Sequence, residues 1–114
     1  MKLVRSEEAG VTVLAVSGNI KLGESARQFA AELENLFQNS QGGVLLDVAE
    51  IDYLDSTGIG EMVGYLQKFS RAGRRIALFR PHQRIKALLK LTGLDSIFPT
   101  FLDRGEALGF VRAR

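Results

Sequence analysis

Apolar positions along this 114-residue chain change their spacing several times, and each change marks an element. Leu3-Val4-Arg5 and Val11-Thr12-Val13-Leu14-Ala15-Val16-Ser17 are rich in β-formers, and the Glu8-Ala9-Gly10 break between them predicts a hairpin of two antiparallel strands. Gly18 and Gly23 bracket Asn19-Ile20-Lys21-Leu22, which reads as an irregular connection. From Gly23 the period becomes 3.6: Ala26, Phe29, Ala30, Leu33, Leu36 and Phe37 share one helical face, and Gly42-Gly43 close the helix. Val44-Leu45-Leu46-Asp47-Val48 is a nearly unbroken apolar run, as expected of a central strand covered on both faces. Ile59, Met62, Val63, Leu66 and Phe69 restore helical spacing until Ala72-Gly73, and Ile76-Ala77-Leu78-Phe79 supplies a second buried strand.

Pro81 is placed to begin a third helix with Ile85, Leu88 and Leu89 inward, ended by Gly93. Ile97 to Leu102 reads as a last strand, and Pro99, which lacks a ladder donor, assigns it to an edge. Asp103 is suited to cap a short final helix from Glu106 to Val111. Strand, helix and strand in alternation after a hairpin predict one α/β domain: a mixed, mostly parallel sheet of about five strands carrying four helices.

Charge is distributed unevenly behind a net of only +2. Residues 1 to 61 carry four basic and ten acidic side chains, whereas residues 62 to 94 carry eight basic ones and no acid. Basic helix faces turned to water and to acidic segments of the same fold account for this without a ligand. A nucleic-acid surface is the weaker reading, because no aromatic residues are interleaved with the charges in a recognisable module. The chain has no cysteine and one histidine, His82, which excludes a disulfide framework and makes a protein-built zinc or iron site a poor expectation. No apolar signal core follows Met1, and no window approaches the roughly 20 apolar residues of a bilayer span, so a cytoplasmic protein without a membrane span is expected.

Candidate chemistry concentrates where the central strand hands over to the second helix, at Asp52-Tyr53-Leu54-Asp55-Ser56-Thr57-Gly58-Ile59-Gly60. A helix N-terminus at the carboxyl end of a parallel strand presents free N–H groups and a positive dipole end, suited to an anion. The Ser56 hydroxyl or the Asp55 carboxylate can N-cap the helix beginning near Thr57, and no capping box accompanies either. Gly58, Gly60 and Gly64 are spaced G-x-G-x-x-x-G, which is not the dinucleotide fingerprint, and Phe79-Arg80 stand where an acid would bind ribose. A hydrolase would need a base beside Ser56, and His82 sits after Pro81 at a helix start rather than in a nucleophile elbow. The expectation is a binding site and not an enzyme.

The run from Leu45 to Gly60, with Asp55-Ser56-Thr57-Gly58 at the strand-to-helix junction, resembles the signature of STAS domains, the family of bacterial anti-sigma factor antagonists. The likeness extends to Pro81, to Leu91-Thr92-Gly93-Leu94 with Ile97-Phe98, and to Glu106-Ala107-Leu108. It implies that Ser56 is phosphorylated by a serine protein kinase that is itself the anti-sigma factor, and that a PP2C-type phosphatase reverses the step. It further implies a contact surface of Asn19, Lys21, Asp55, Ser56, Thr57, Gly58, Ile59 and Glu61, with no cofactor. Kinase-controlled members of the family often carry Gly-Glu-Leu-Asp after the second strand. This chain has Gly18-Asn19-Ile20-Lys21 there, with a cation in place of the acid. The alternative implied by the resemblance is a non-phosphorylated STAS scaffold or subunit of a larger complex.

Overall fold

The computed structural model describes residues 1–96 and 98–112. Two strands, β1 (Lys2–Glu8) and β2 (Val11–Ile20), form the antiparallel hairpin, with Lys2 opposite Ser17 and Glu8 opposite Val11. Its two-residue turn places Ala9 and Gly10 at φ 54° and 79°. Positive φ at both central positions matches the twist of the flanking strands, and Gly10 adopts it without a Cβ penalty. After helix α1 (Glu24–Asn39), strand β3 (Val44–Leu54) lies parallel to β2, from Thr12 opposite Val44 to Ile20 opposite Leu54. Helix α2 (Ser56–Arg71), strand β4 (Ile76–Phe79), helix α3 (Gln83–Leu91), a 3₁₀ turn (Leu94–Ser96), strand β5 (Thr100–Phe101) and helix α4 (Arg104–Arg112) complete the chain. The sheet runs β1-β2-β3-β4-β5, parallel from β2 onward.

Strand alternation divides the core in two. Leu14, Val16, Leu46, Val48 and Leu78 join Phe29, Leu33, Met62, Phe69 and Ile85 from α1, α2 and α3 on one face. Val11, Val13, Leu45, Ala77 and Phe79 turn to the other face and meet Ala107 and Val111 of α4. The central apolar run therefore is covered on both sides, as its composition requires. Three of the eight basic residues of the 62–94 stretch are engaged inside the fold: Lys68 pairs with Glu34 of α1 at 2.6 Å, Arg74 donates to the carbonyls of Phe37 and Gly42, and Arg75 donates to the Phe110 carbonyl. Among the described residues no helix is long and apolar enough to cross a membrane.

Several element bounds differ from the sequence expectation, each for a tertiary reason. Asn19 and Ile20 are strand and not an irregular connection, because β2 continues past Gly18 (φ 89°) alongside the far end of β3. That strand runs to Leu54, six residues beyond Val48. It gains one residue on β2 between Ala15 and Ser17 and another between Gly18 and Asn19, and such bulges carry Asp52 and Tyr53 through polar positions without breaking the ladder. Pro81 does not start α3; it is buried two residues ahead, with His82 at the N-cap. The last strand shrinks to Thr100–Phe101, and Ile97, expected within it, lies outside the described residues. Pro99 precedes this edge strand and accepts the Leu78 N–H at 2.9 Å through its carbonyl. Asp103 does cap α4, accepting the Glu106 N–H at 2.9 Å.

Candidate functional site

Parallel pairing brings the ends of β2 and β3 together, and the site is built on that edge. Asn19 lies opposite Tyr53 and Ile20 opposite Leu54, and the next residues of each chain segment are Lys21-Leu22 and Asp55-Ser56. Asp55 holds the two segments in place. Its N–H donates to the Ile20 carbonyl at 3.2 Å, its Oδ1 accepts the Gly58 N–H at 3.0 Å, and its Oδ2 accepts the Leu22 N–H at 2.9 Å. It is thus the N-cap of α2 and the clamp on the β2–α1 loop at once. The N–H donors of Gly58 and then Leu22 hold its carboxyl below the usual carboxylate range.

With the cap supplied by Asp55, Ser56 falls at the first helical position, exposed, and its hydroxyl has no hydrogen-bond partner among the described residues. Gly58 is buried one turn further in, where an added Cβ would stand 2.5 Å from Leu54 Cδ1 and 2.9 Å from Ile20 Cγ2. Only glycine lets the first turn of α2 sit this close to both strand ends. Ile59 is likewise buried, while Thr57 and Glu61 are half-buried and Asn19 and Lys21 are exposed. The sequence-expected residues are therefore gathered at one pole, six reaching the surface and two, Gly58 and Ile59, lying beneath it. Lys21 forms no ion pair among the described residues; its backbone is tied instead to Ser25, whose Oγ accepts the Lys21 N–H at 2.9 Å.

Two apolar residues of the candidate segments that the expected contact set does not name stand at the same pole. Leu22 is 78% exposed and Tyr53 is 47% exposed. An unburied leucine between Lys21 and Gly23 was the available signal for the first; the second required the register that sets Tyr53 beside Asn19. His82 lines a groove of about 390 Å³ with Asp52 and Tyr53, a groove that Ser56 does not line. Among the described residues no three His, Asp or Glu side chains come together as a metal site.

Asp55→Ala is expected to lower the melting temperature at pH 7 by roughly 5 °C, the effect of losing a helix cap in a domain of this size. The sign of the pH dependence follows from the depressed carboxyl. Its contribution is complete above the unfolded value, about 4, and is lost as pH falls through the lower folded value. Melts of the two proteins should therefore converge in acid; a gap that persists there would remove Asp55 ionisation as its cause.

The protein is thus an α/β domain that displays a serine at a helix N-terminus, on the carboxyl edge of its parallel strands. The chain belongs to the STAS domain family, whose family model matches residues 2–107. It is 33% identical over 79 residues to the anti-sigma-B factor antagonist of Listeria monocytogenes, covering 68% of this chain and 69% of that one. A Thermotoga neapolitana homologue of the protein TM1081 is 32% identical over 71 residues, 62% of this chain and 63% of the relative, so the match spans under two thirds of that protein. The fold is that of the crystal structure of an anti-sigma factor antagonist from Mycobacterium paratuberculosis, with TM-score 0.87, 22% identity, and coverage of 98% of this chain and 94% of the other.

Proposed function

We propose that this protein is a cytoplasmic anti-sigma factor antagonist, a binding protein and not an enzyme, that captures an anti-sigma factor or serine protein kinase and is switched by phosphorylation of Ser56. The observation that carries this reading is the division of labour between Asp55 and Ser56. Asp55 uses both carboxylate oxygens to hold the helix and loop, which leaves the Ser56 hydroxyl free and exposed at the positive end of a sixteen-residue helix. A phosphoryl group there adds about −1.5 to −2 charges at a position where helix N–H groups tolerate an anion, so the modification changes the surface without unfolding it. Asn19, Lys21, Leu22, Ser56, Thr57 and Glu61 form the contact face, with Asp55, Gly58 and Ile59 shaping it from below. The family membership and the names of the relatives support the same role.

Incubation with candidate serine kinases and ATP, read by intact mass, tests the switch. The wild type is expected to gain one phosphoryl group, Ser56→Ala none, and a PP2C-type phosphatase should return the mass to its starting value. A kinase that captures the protein yet never modifies it would replace the switch with a non-phosphorylated scaffold.

A further inference from the structure

Three arginines of the acid-free stretch converge at the pole opposite Ser56. Arg71, Arg74 and Arg75 line a cavity of about 480 Å³ between the end of α2, the start of β4 and α4, roughly 20 Å along the helix axis from Ser56. Its apolar wall comes from Leu66, Ile76, Pro99 and Phe110. None of the three guanidinium groups forms an ion pair among the described residues, where the paired cations are Arg5, Lys68 and Arg104.

Two of these cations, Arg74 and Arg75, are held in place by hydrogen bonds and ring contacts. Arg74 donates to the carbonyls of Phe37 and Gly42 and lies over the Phe69 ring at 4.5 Å, and burial pushes its guanidinium pKa down. Arg75 donates through Nη1 to the Phe110 carbonyl and stacks on the Phe110 ring at 4.7 Å, with its other side-chain N–H groups uncommitted among the described residues. Arg71 is exposed at the rim and makes no side-chain hydrogen bond among the described residues. At the end of α2 the carbonyls of Lys68, Phe69 and Ser70 accept from the N–H groups of Ala72, Gly73 and Arg74.

We infer that this cavity is a binding site for a small amphipathic anion, its head, a carboxylate or a phosphate monoester, between Arg71 and Arg75 and its apolar body along Leu66, Ile76 and Phe110. The volume falls within the range of small-molecule sites, and an apolar pocket with few convergent polar groups is their usual make-up. Guanidinium forks suit both head groups, and Arg74 adds a fixed positive field without giving up its carbonyl bonds. The site is independent of the Ser56 switch and does not rest on it.

Titration of the ¹⁵N-labelled chain with octanoate and with octyl phosphate, below the concentrations at which either forms micelles, tests the assignment and distinguishes the two head groups. At least one of them is expected to bind saturably and to shift the amides of Leu66, Ile76 and Phe110, with octanol and inorganic phosphate each at least about tenfold weaker. Arg71→Gln and Arg75→Gln should each weaken the anion about tenfold, and Arg84→Gln, an equal loss of charge on α3, should leave it unchanged. Octanol binding equally well, inorganic phosphate binding equally well, an equal loss in Arg84→Gln, or no saturable shift with either amphiphile would each overturn the proposal.

Discussion

Ser56→Asp is expected to weaken capture of the partner kinase or anti-sigma factor by at least about a hundredfold, close to 3 kcal/mol, while the melting temperature stays near the wild-type value. The two halves of the expectation come from the same geometry. Position 56 is the first residue of α2, where a carboxylate meets unsatisfied N–H groups and the positive dipole end, so the fold accepts it. It is also next to Asp55, whose carboxyl is already held ionised by the N–H groups of Gly58 and Leu22. A second negative charge beside it turns the tip of the proposed contact face from one anion into two, and an interface that sets like charges against each other loses several kcal/mol. Paired measurements of affinity and thermal melting decide the matter. Loss of both capture and folding would mean that the charge acts by breaking the site, and unchanged capture would move the contact face elsewhere.

Phe69→Ala should cost about 4 kcal/mol, the largest stability loss expected from a single side chain discussed here. Phe69 has no exposed surface and sits where α1, α2 and the sheet meet. Its ring meets that of Phe37 edge-on, with centroids 5.2 Å apart and planes at 78°, and it carries the Arg74 guanidinium on its face at 4.5 Å. Truncation removes apolar contact, an aromatic pair and the seat of a cation that also holds the C-terminal end of α1. A loss of this size is a large part of the 5–15 kcal/mol that stabilises an ordinary domain. Urea denaturation measures it directly, and a midpoint shift equivalent to less than about 1 kcal/mol would mean that the surrounding helices close over the gap.

Much of the fold was legible in residue spacing. The period-3.6 face from Ala26 to Phe37, the nearly unbroken Val44–Val48 run and the helix closed at Ala72-Gly73 each have one way to bury their apolar surface, and all three form the expected kind of element, the strand running on to Leu54. Strand ends were harder. Nothing local distinguishes Asp52-Tyr53 from a loop, and they are strand only because β2 continues beside them. The 3₁₀ turn at Leu94–Ser96 had no periodic signal to announce it, being one turn long. At the site, composition left the cap open between Asp55 and Ser56. The structure assigns it to Asp55, because only there do two oxygens meet donors from two different segments.

By itself, then, the sequence determined the alternation of strands and helices, the Asp55-Ser56-Thr57-Gly58 junction and its family resemblance, since these follow from local propensity and side-chain period. Tertiary structure alone decided which residues stand beside that junction. Leu22 reaches it across 33 positions of chain through one hydrogen bond to Asp55, Tyr53 faces Asn19 through strand register, and Arg71 and Arg75 reach a common cavity with Phe110 from the far end of the fold. Such neighbours are set by sheet pairing and by how helices lie over it, and those long-range contacts leave no periodic trace in the chain that makes them.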